Sequence, residues 1–176
     1  DPLDGTYNFT LGTPNFTVSI GLLNKDEIIA GVVYQPILDR IYRAEIGKGA
    51  FMNDTKLAVS TVSDITAATV AYTCSYQTPA EYANNLFRNL DEKDVKRVLD
   101  DWSVAFDFCM LASGKIEAFV NNECELYDFA AGKLIATEAG ALVTDFHGGK
   151  LKNDKDRIFF TSNGSALHKT ILDLLP

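Results

Sequence analysis

Two stretches of this sequence hold residues whose types and spacing could do chemistry. The first, Asp1-Pro2-Leu3-Asp4-Gly5-Thr6, sets two carboxylates three residues apart around a Pro and a Gly that force a tight turn. Carboxylates brought together in this way are the oxygen ligands that a hard divalent cation such as Mg²⁺ takes. The N–H groups of Gly5 and Thr6 would stand free at the start of a following helical turn, where phosphate oxygens bind well. The same residues also suit a plain surface turn, since Asp, Pro and Gly are the usual turn formers. The second stretch runs Leu126-Tyr127-Asp128-Phe129-Ala130-Ala131-Gly132-Lys133-Leu134-Ile135. Asp128 would stand at the start of a helix, as a metal ligand or simply as its N-cap. The small residues Ala130, Ala131 and Gly132 imply that this helix packs closely against other backbone.

The elements that must position these groups are legible as patterns. Phe16 to Leu23, Glu27 to Gln35 and Arg40 to Glu45 are rich in β-branched and aromatic residues. Short turn-like pieces separate them, which predicts an antiparallel meander. From about residue 65 strands and helices alternate. Strands are expected over Thr69–Thr73, Val95–Leu99, Glu117–Val120, Ala141–Asp145 and Arg157–Thr161. Helices are expected over Pro79–Asp91, Val104–Ser113 (closed by Gly114), Phe129–Ala139 (closed by Gly140) and Ser165–Leu175. The mixture predicts a layered α/β fold with sheets between helices. One domain is expected, its residues 1–64 carrying the first motif and the meander and residues 65–176 an α/β half.

Composition narrows the function classes. Of 176 residues 47% are apolar and 23% charged, ordinary for a globular protein with a real core. The net charge is −8 and the basic residues are scattered, which argues against binding a nucleic-acid backbone. No apolar run approaches the ~18 residues of a membrane span. Three widely spaced cysteines, Cys74, Cys109 and Cys124, point to buried, reduced thiols and a cytoplasmic protein.

Taken together, DPLDGTYNF and YDFAAGKLIATEAG resemble the paired signature of the inositol monophosphatase family. That family carries D-P-[ILV]-D-G-T-x-N-F and W-D-x-A-A-G-x-x-[ILV]-x-x-E-A-G. GVVYQP, the G-K-G-A-F segment ending in Asn53 and LASGKIEAF fall in the family's order, so the likeness covers nearly the whole chain. The resemblance implies a layered α-β-α-β-α sandwich and Mg²⁺-dependent hydrolysis of a small phosphomonoester by metal-activated water. It implies that Asp1 bridges two metal ions, that the Leu3 carbonyl binds the first, and that Asp4 and Asp128 complete the second. Gly5 and Thr6 would hold phosphate through backbone N–H groups, and the Thr6 hydroxyl would orient the attacking water. No phosphoenzyme is expected, and neither His147 nor His168 lies in a catalytic motif.

This chain departs from the family pattern in ways that bear on substrate. An upstream Glu-Glu motif, which supplies a ligand and helps activate water, would precede Asp1, so the 176 residues alone are expected to be inactive. Helices of that upstream part would cover one sheet face; without them that face meets solvent or another copy, which makes a homodimer a candidate assembly. The family's R-x-x-G-[ST]-A stretch, part of its substrate-alcohol pocket, aligns with Leu99-Asp100-Asp101-Trp102-Ser103-Val104. Ser103 fits as a substrate contact, while Trp102 replaces the Gly, either filling pocket space or anchoring the core. Tyr127 replaces the usual Trp. Asn121 stands near a substrate-contacting Glu of inositol-hydrolysing members and is expected to touch substrate. Sugar bisphosphates and 3′-phosphorylated adenosine nucleotides therefore compete with inositol phosphate as substrate. A non-catalytic role as a partner of the transcription machinery is the alternative of another class.

Overall fold

Turn chemistry and two-residue periodicity give the meander its form in the computed structural model, which describes residues 1–176. β1 (Val18–Asn24), β2 (Glu27–Gln35), β3 (Arg40–Glu45), β4 (Ala50–Met52) and β5 (Thr55–Lys56) make one antiparallel sheet in chain order. Lys25 turns the chain between β1 and β2 in the left-handed region. A register shift between Leu22 and Leu23 lets Ile28 point inward with Gly31 and Val33. Such bulges re-aim side chains without ending a strand.

The second sheet has the order β7-β6-β8-β10-β9, built from Arg97–Leu99, Thr69–Cys74, Ala118–Asn122, Ile158–Ser162 and Leu142–Thr144. β6 runs parallel to β7 and β8, while β10 runs antiparallel to β8 and β9. Its strands are buried on both faces, so neighbouring residues serve different cores. Phe119 and Phe159 face a core shared with α3 (Val104–Ala112) and α4 (Leu126–Glu138). Val120 and Phe160 face a core closed by α2 (Ala80–Asp91) and α5 (Leu167–Leu172) through Leu86, Leu90, Leu167 and Ile171. Each such buried side chain stabilises the fold by roughly 1.5–3 kcal/mol relative to exposure.

The layers thus run sheet, helix pair α3/α4, sheet, helix pair α2/α5, which is the expected sandwich without its N-terminal helices. The outer face of the first sheet is bare. Ile20 and Leu22 are 64% and 57% exposed, and Val32 and Ile41 beside them are exposed too. On the inner face α4 lies against β1 and β2 with almost no side chain between. A Cβ on Gly31 would stand 2.8 Å from the Ala131 Cα and carbonyl oxygen, and one on Gly21 3.0 Å from the Ala130 Cβ. The small residues of the second motif are there for that approach.

Several boundaries differ from expectation. α4 begins three residues earlier than expected, at Leu126, with Glu125 as N-cap. Asp128 is therefore in the helix's first turn rather than its cap. The last helix is only Leu167–Leu172. All three cysteines are free, and Cys109 and Cys124 are buried. No helix is long and apolar enough to cross a membrane.

Candidate metal centre

Asp1 and Asp4 flank the turn that leads into α1 (Thr6–Leu11). A bridge to β1's approach holds the turn: the Asp4 N–H donates to the Thr17 carbonyl and the Thr17 N–H to the Asp4 carbonyl, both at 2.9 Å. The Asp1 backbone nitrogen donates to the Ser19 carbonyl at 2.8 Å, and the Asp1 carboxylate accepts from the Leu3 N–H at 2.8 Å. Gly5 has φ 83°, and a Cβ there would stand 2.7 Å from the Asn15 carbonyl oxygen. Only glycine fits this turn.

Asp4 is buried, and its carboxylate is held from several sides. Oδ2 accepts from the Ser103 hydroxyl at 2.6 Å, the Ala105 N–H at 3.1 Å and the Thr17 hydroxyl at 3.1 Å. Oδ1 accepts from the Val104 N–H at 3.2 Å. Asp4 thus sits on the open N-terminus of α3, where the helix offers unpaired donors and a favourable dipole. Burial still pushes its carboxyl above the usual range, against the pull of these bonds.

Asp128 comes to the same point from the first turn of α4. Its carboxylate accepts from the Glu125 N–H at 3.1 Å, so it shares in the capping of α4 while turned to the cluster. One carboxylate oxygen from each of Asp1, Asp4 and Asp128 lies within 4.8 Å of the others. Burial, and then the Asp4 charge, push the Asp128 carboxyl up to about 6. No Lys or Arg forms an ion pair with any of the three. Three crowded carboxylates without a basic partner, two of them pushed up, are a donor set that fits a hard divalent cation.

Thr6 is at the rim. Its hydroxyl donates to the Leu3 carbonyl at 2.8 Å, which turns the hydroxyl oxygen's lone pairs outward. Ser103 and Asn121, both expected to touch substrate, are instead fully buried. Ser103 spends its hydroxyl on Asp4, so it positions that carboxylate. Asn121 lies inside β8 and donates to the Arg157 carbonyl at 2.7 Å, out of reach of a substrate hydroxyl. Trp102 is 49% exposed, which rules out the core anchor considered for it.

Sequence reasoning missed Thr17 and an acid pair below the site. Asp107, in α3, is fully buried, and no donor reaches its carboxyl oxygens. Burial first, then the Asp101 charge, hold its carboxyl well above the usual range. Only an Asp in the apolar run Val104–Ala112 hinted at it.

A two-sheet layered α/β fold with three carboxylates converging beside a Gly-Thr turn defines a candidate metal-dependent phosphate-handling protein. The model of the inositol monophosphatase family matches residues 1–175, and the chain belongs to that family. It is 38% identical over 155 residues to "Nus factor SuhB" of Pasteurella multocida, covering 85% of this chain and 56% of that protein. It is 35% identical over 175 residues to "Fructose-1,6-bisphosphatase/inositol-1-monophosphatase" of Thermotoga maritima, covering 99% of this chain and 66% of that protein. Among solved structures, the extragenic suppressor protein suhB of Bartonella henselae superposes with a TM-score of 0.90 at 34% identity, covering 99% of this chain and 68% of that one. The chain spans little more than half the length of several curated relatives it matches.

Proposed function

We propose that the protein carrying this chain hydrolyses a small phosphomonoester in a Mg²⁺-dependent reaction. The observation that carries this is the convergence of Asp1, Asp4 and Asp128 within 4.8 Å with no basic partner. Asp1, Asp4, Asp128 and the Leu3 carbonyl would hold the metal. Bound Mg²⁺ supplies the positive charge that lowers the pKa of a water and offsets charge on the phosphoryl oxygens. The chain's own residues do the rest. Asp4, fixed by its bonds to Thr17, Ser103, Val104 and Ala105, cannot swing away as charge moves in the site. The Thr6 hydroxyl, donating to Leu3, has lone pairs free to accept from the attacking water and so orient it. Backbone N–H groups of Gly5 and Thr6 are the proposed phosphate donors.

Mutation of Asp128 separates this reading from simple capping, because Asn caps helices as well as Asp does. In the full-length protein Asp128→Asn is expected to weaken Mg²⁺ binding at least tenfold by calorimetry. Phosphate release should fall by on the order of 10³-fold. Unchanged affinity and turnover would leave Asp128 a capping residue and sink the proposal. Relatives named Nus factor support a second reading, a partner role in transcription. An intact carboxylate cluster favours catalysis, since a docking module has no use for it.

A further inference from the structure

Away from the carboxylates, the β1–β2 turn, the second half of α4, β9 and the segment 150–154 surround an open cavity of about 750 Å³. No residue of the metal centre lines it. Its volume falls in the range of small-molecule sites, roughly 300–1,000 Å³. Charge is unevenly spread around it. Four lysines and three carboxylates belong to the lining. Two of the carboxylates are already held: Asp154 Oδ1 lies 3.2 Å from Lys133 Nζ, and Asp26 Oδ1 lies 2.7 Å from the Nζ of Lys155 outside the lining. Lys25, Lys150 and Lys152 are exposed and make no ion pair, and only Glu27 stands against them. In a chain of net charge −8 these three ammonium groups are a local surplus of the opposite sign. A concave site with such a surplus draws anions.

The inner end of the cavity is fixed. Lys133 is only 4% exposed, and its Nζ donates to the Asp154 carbonyl at 2.9 Å and stands 5.1 Å from the Phe159 ring centroid. Asp154 Oδ2 accepts from the Ile28 N–H at 2.9 Å, and the Asp154 N–H donates to the Asp26 carbonyl at 3.2 Å. These bonds tie α4, the β1–β2 hairpin and the segment 150–154 together, so the cavity is formed before any ligand arrives. A buried lysine is costly unless paired, and the family's signature leaves position 133 free. The pair is therefore not a demand of the metal chemistry. The remaining wall is apolar, with Leu142, Val143 and Leu151 in it.

We propose that this cavity binds a small organic anion, an oxyacid group (carboxylate, phosphate or sulfonate) on an apolar body. The oxyacid meets Lys25, Lys150 and Lys152, and the body meets Leu142, Val143 and Leu151. Exposed ion pairs alone hold little, so both halves are needed. The proposal stands apart from the phosphatase reading, since none of these residues belongs to the metal centre.

The test uses the full-length protein with Mg²⁺ and naphthalene-2-sulfonate, whose C–S bond a phosphatase does not cleave. Naphthalene-2-sulfonamide, which is neutral, and methanesulfonate, which lacks the rings, are the controls. Amide NMR should show shifts at Asn24–Glu27, Leu142–Val143 and Lys150–Asp154 that persist under saturating inorganic phosphate. By calorimetry both controls should bind at least about tenfold more weakly than the sulfonate. The triple change Lys25→Gln, Lys150→Gln and Lys152→Gln should weaken the sulfonate by about tenfold or more, with the sulfonamide unaffected. Arg at the same three positions should retain binding. Because the three lysines are exposed and unpaired, both variants should fold and release phosphate as the parent does. Shifts confined to Ile20, Leu22 and Val32 on the bare sheet face, shifts abolished by phosphate, or no shifts at millimolar ligand overturn the proposal. So does binding in the cavity that the Gln variant fails to weaken. Sulfonate binding that behaves as expected, with no phosphate released from any ester, overturns the phosphatase reading and leaves this site standing.

Discussion

The two sheets of this molecule are built from similar residues but meet different surroundings. The second sheet is covered on both faces, and its strands read as nearly continuous apolar runs. The first is covered by α4 on one face only, yet its other face is not written for water. An antiparallel sheet with a solvated face alternates apolar and polar residues. Here Ile20, Leu22, Val32 and Ile41 stand outward beside Arg43 and Glu45, with Ile20 paired to Val32 across β1 and β2 and Val32 to Arg43 across β2 and β3. Such an apolar surface marks an interaction site. The contrast is between a sheet packed on both faces and one that α4 packs on a single face, leaving apolar side chains exposed on the other.

The largest effect is expected on the covered face. In Gly31→Val the added Cβ would meet Ala131 backbone at 2.8 Å, where nothing can yield except α4 as a whole. Chemical denaturation should show a loss of about 3 kcal/mol or more. Because α4 carries Asp128, Mg²⁺ binding should weaken in the same variant; a stable variant with normal affinity would mean that the seam is soft.

The bare face should respond in the opposite way. In the 176-residue chain, the double change Ile20→Lys and Val32→Lys should cost no more than about 0.5 kcal/mol per site, as surface substitutions do. It should reduce self-association in sedimentation and dye binding. In the full-length protein the same changes should destabilise strongly, by several kcal/mol, if another element covers this face. Indifference in both settings would make the face ordinary surface.

The smallest effect belongs to the second sheet. His168, on the buried side of α5, bonds the Ser162 hydroxyl at 2.8 Å and the Thr144 hydroxyl at 3.1 Å, and burial pushes its pKa down. The unfolded chain then binds the proton more readily than the folded one. Stability should fall as pH drops below the ordinary His value of about 6.5 and level off below the folded pKa. His168→Gln should flatten that limb of a pH–stability curve without affecting the first sheet.

Much of the architecture was legible because its signals are local. The strand at Glu27–Gln35 and the helix from Val104 emerged within a residue of expectation, since turn residues and periodicity bracket them. Asp1, Asp4 and Asp128 were legible as a set only through two motifs read together. What escaped depended on long-range packing. Asp128 resembled an N-cap because Glu125, the residue that takes that place, is a weak cap signal. Asn121 and Ser103 could not be recognised as buried from sequence, because a polar residue in a strand or loop points either way until its neighbours are placed. The Asp101–Asp107 pair needs the fold of α3 against its own preceding loop, which no spacing rule describes.

The glycine–alanine seam between α4 and the first sheet has a consequence for how such a protein can diversify. At Gly21, Gly31, Ala130 and Ala131 the sheet-facing side of α4 rests on the strands with no long side chain between them. At Gly31 even one added carbon would run into the Ala131 backbone, so drift there is restricted. Tyr7 and Trp102, by contrast, are exposed, and their rings meet each other edge to face. One part of the molecule is therefore frozen so that another is free to change.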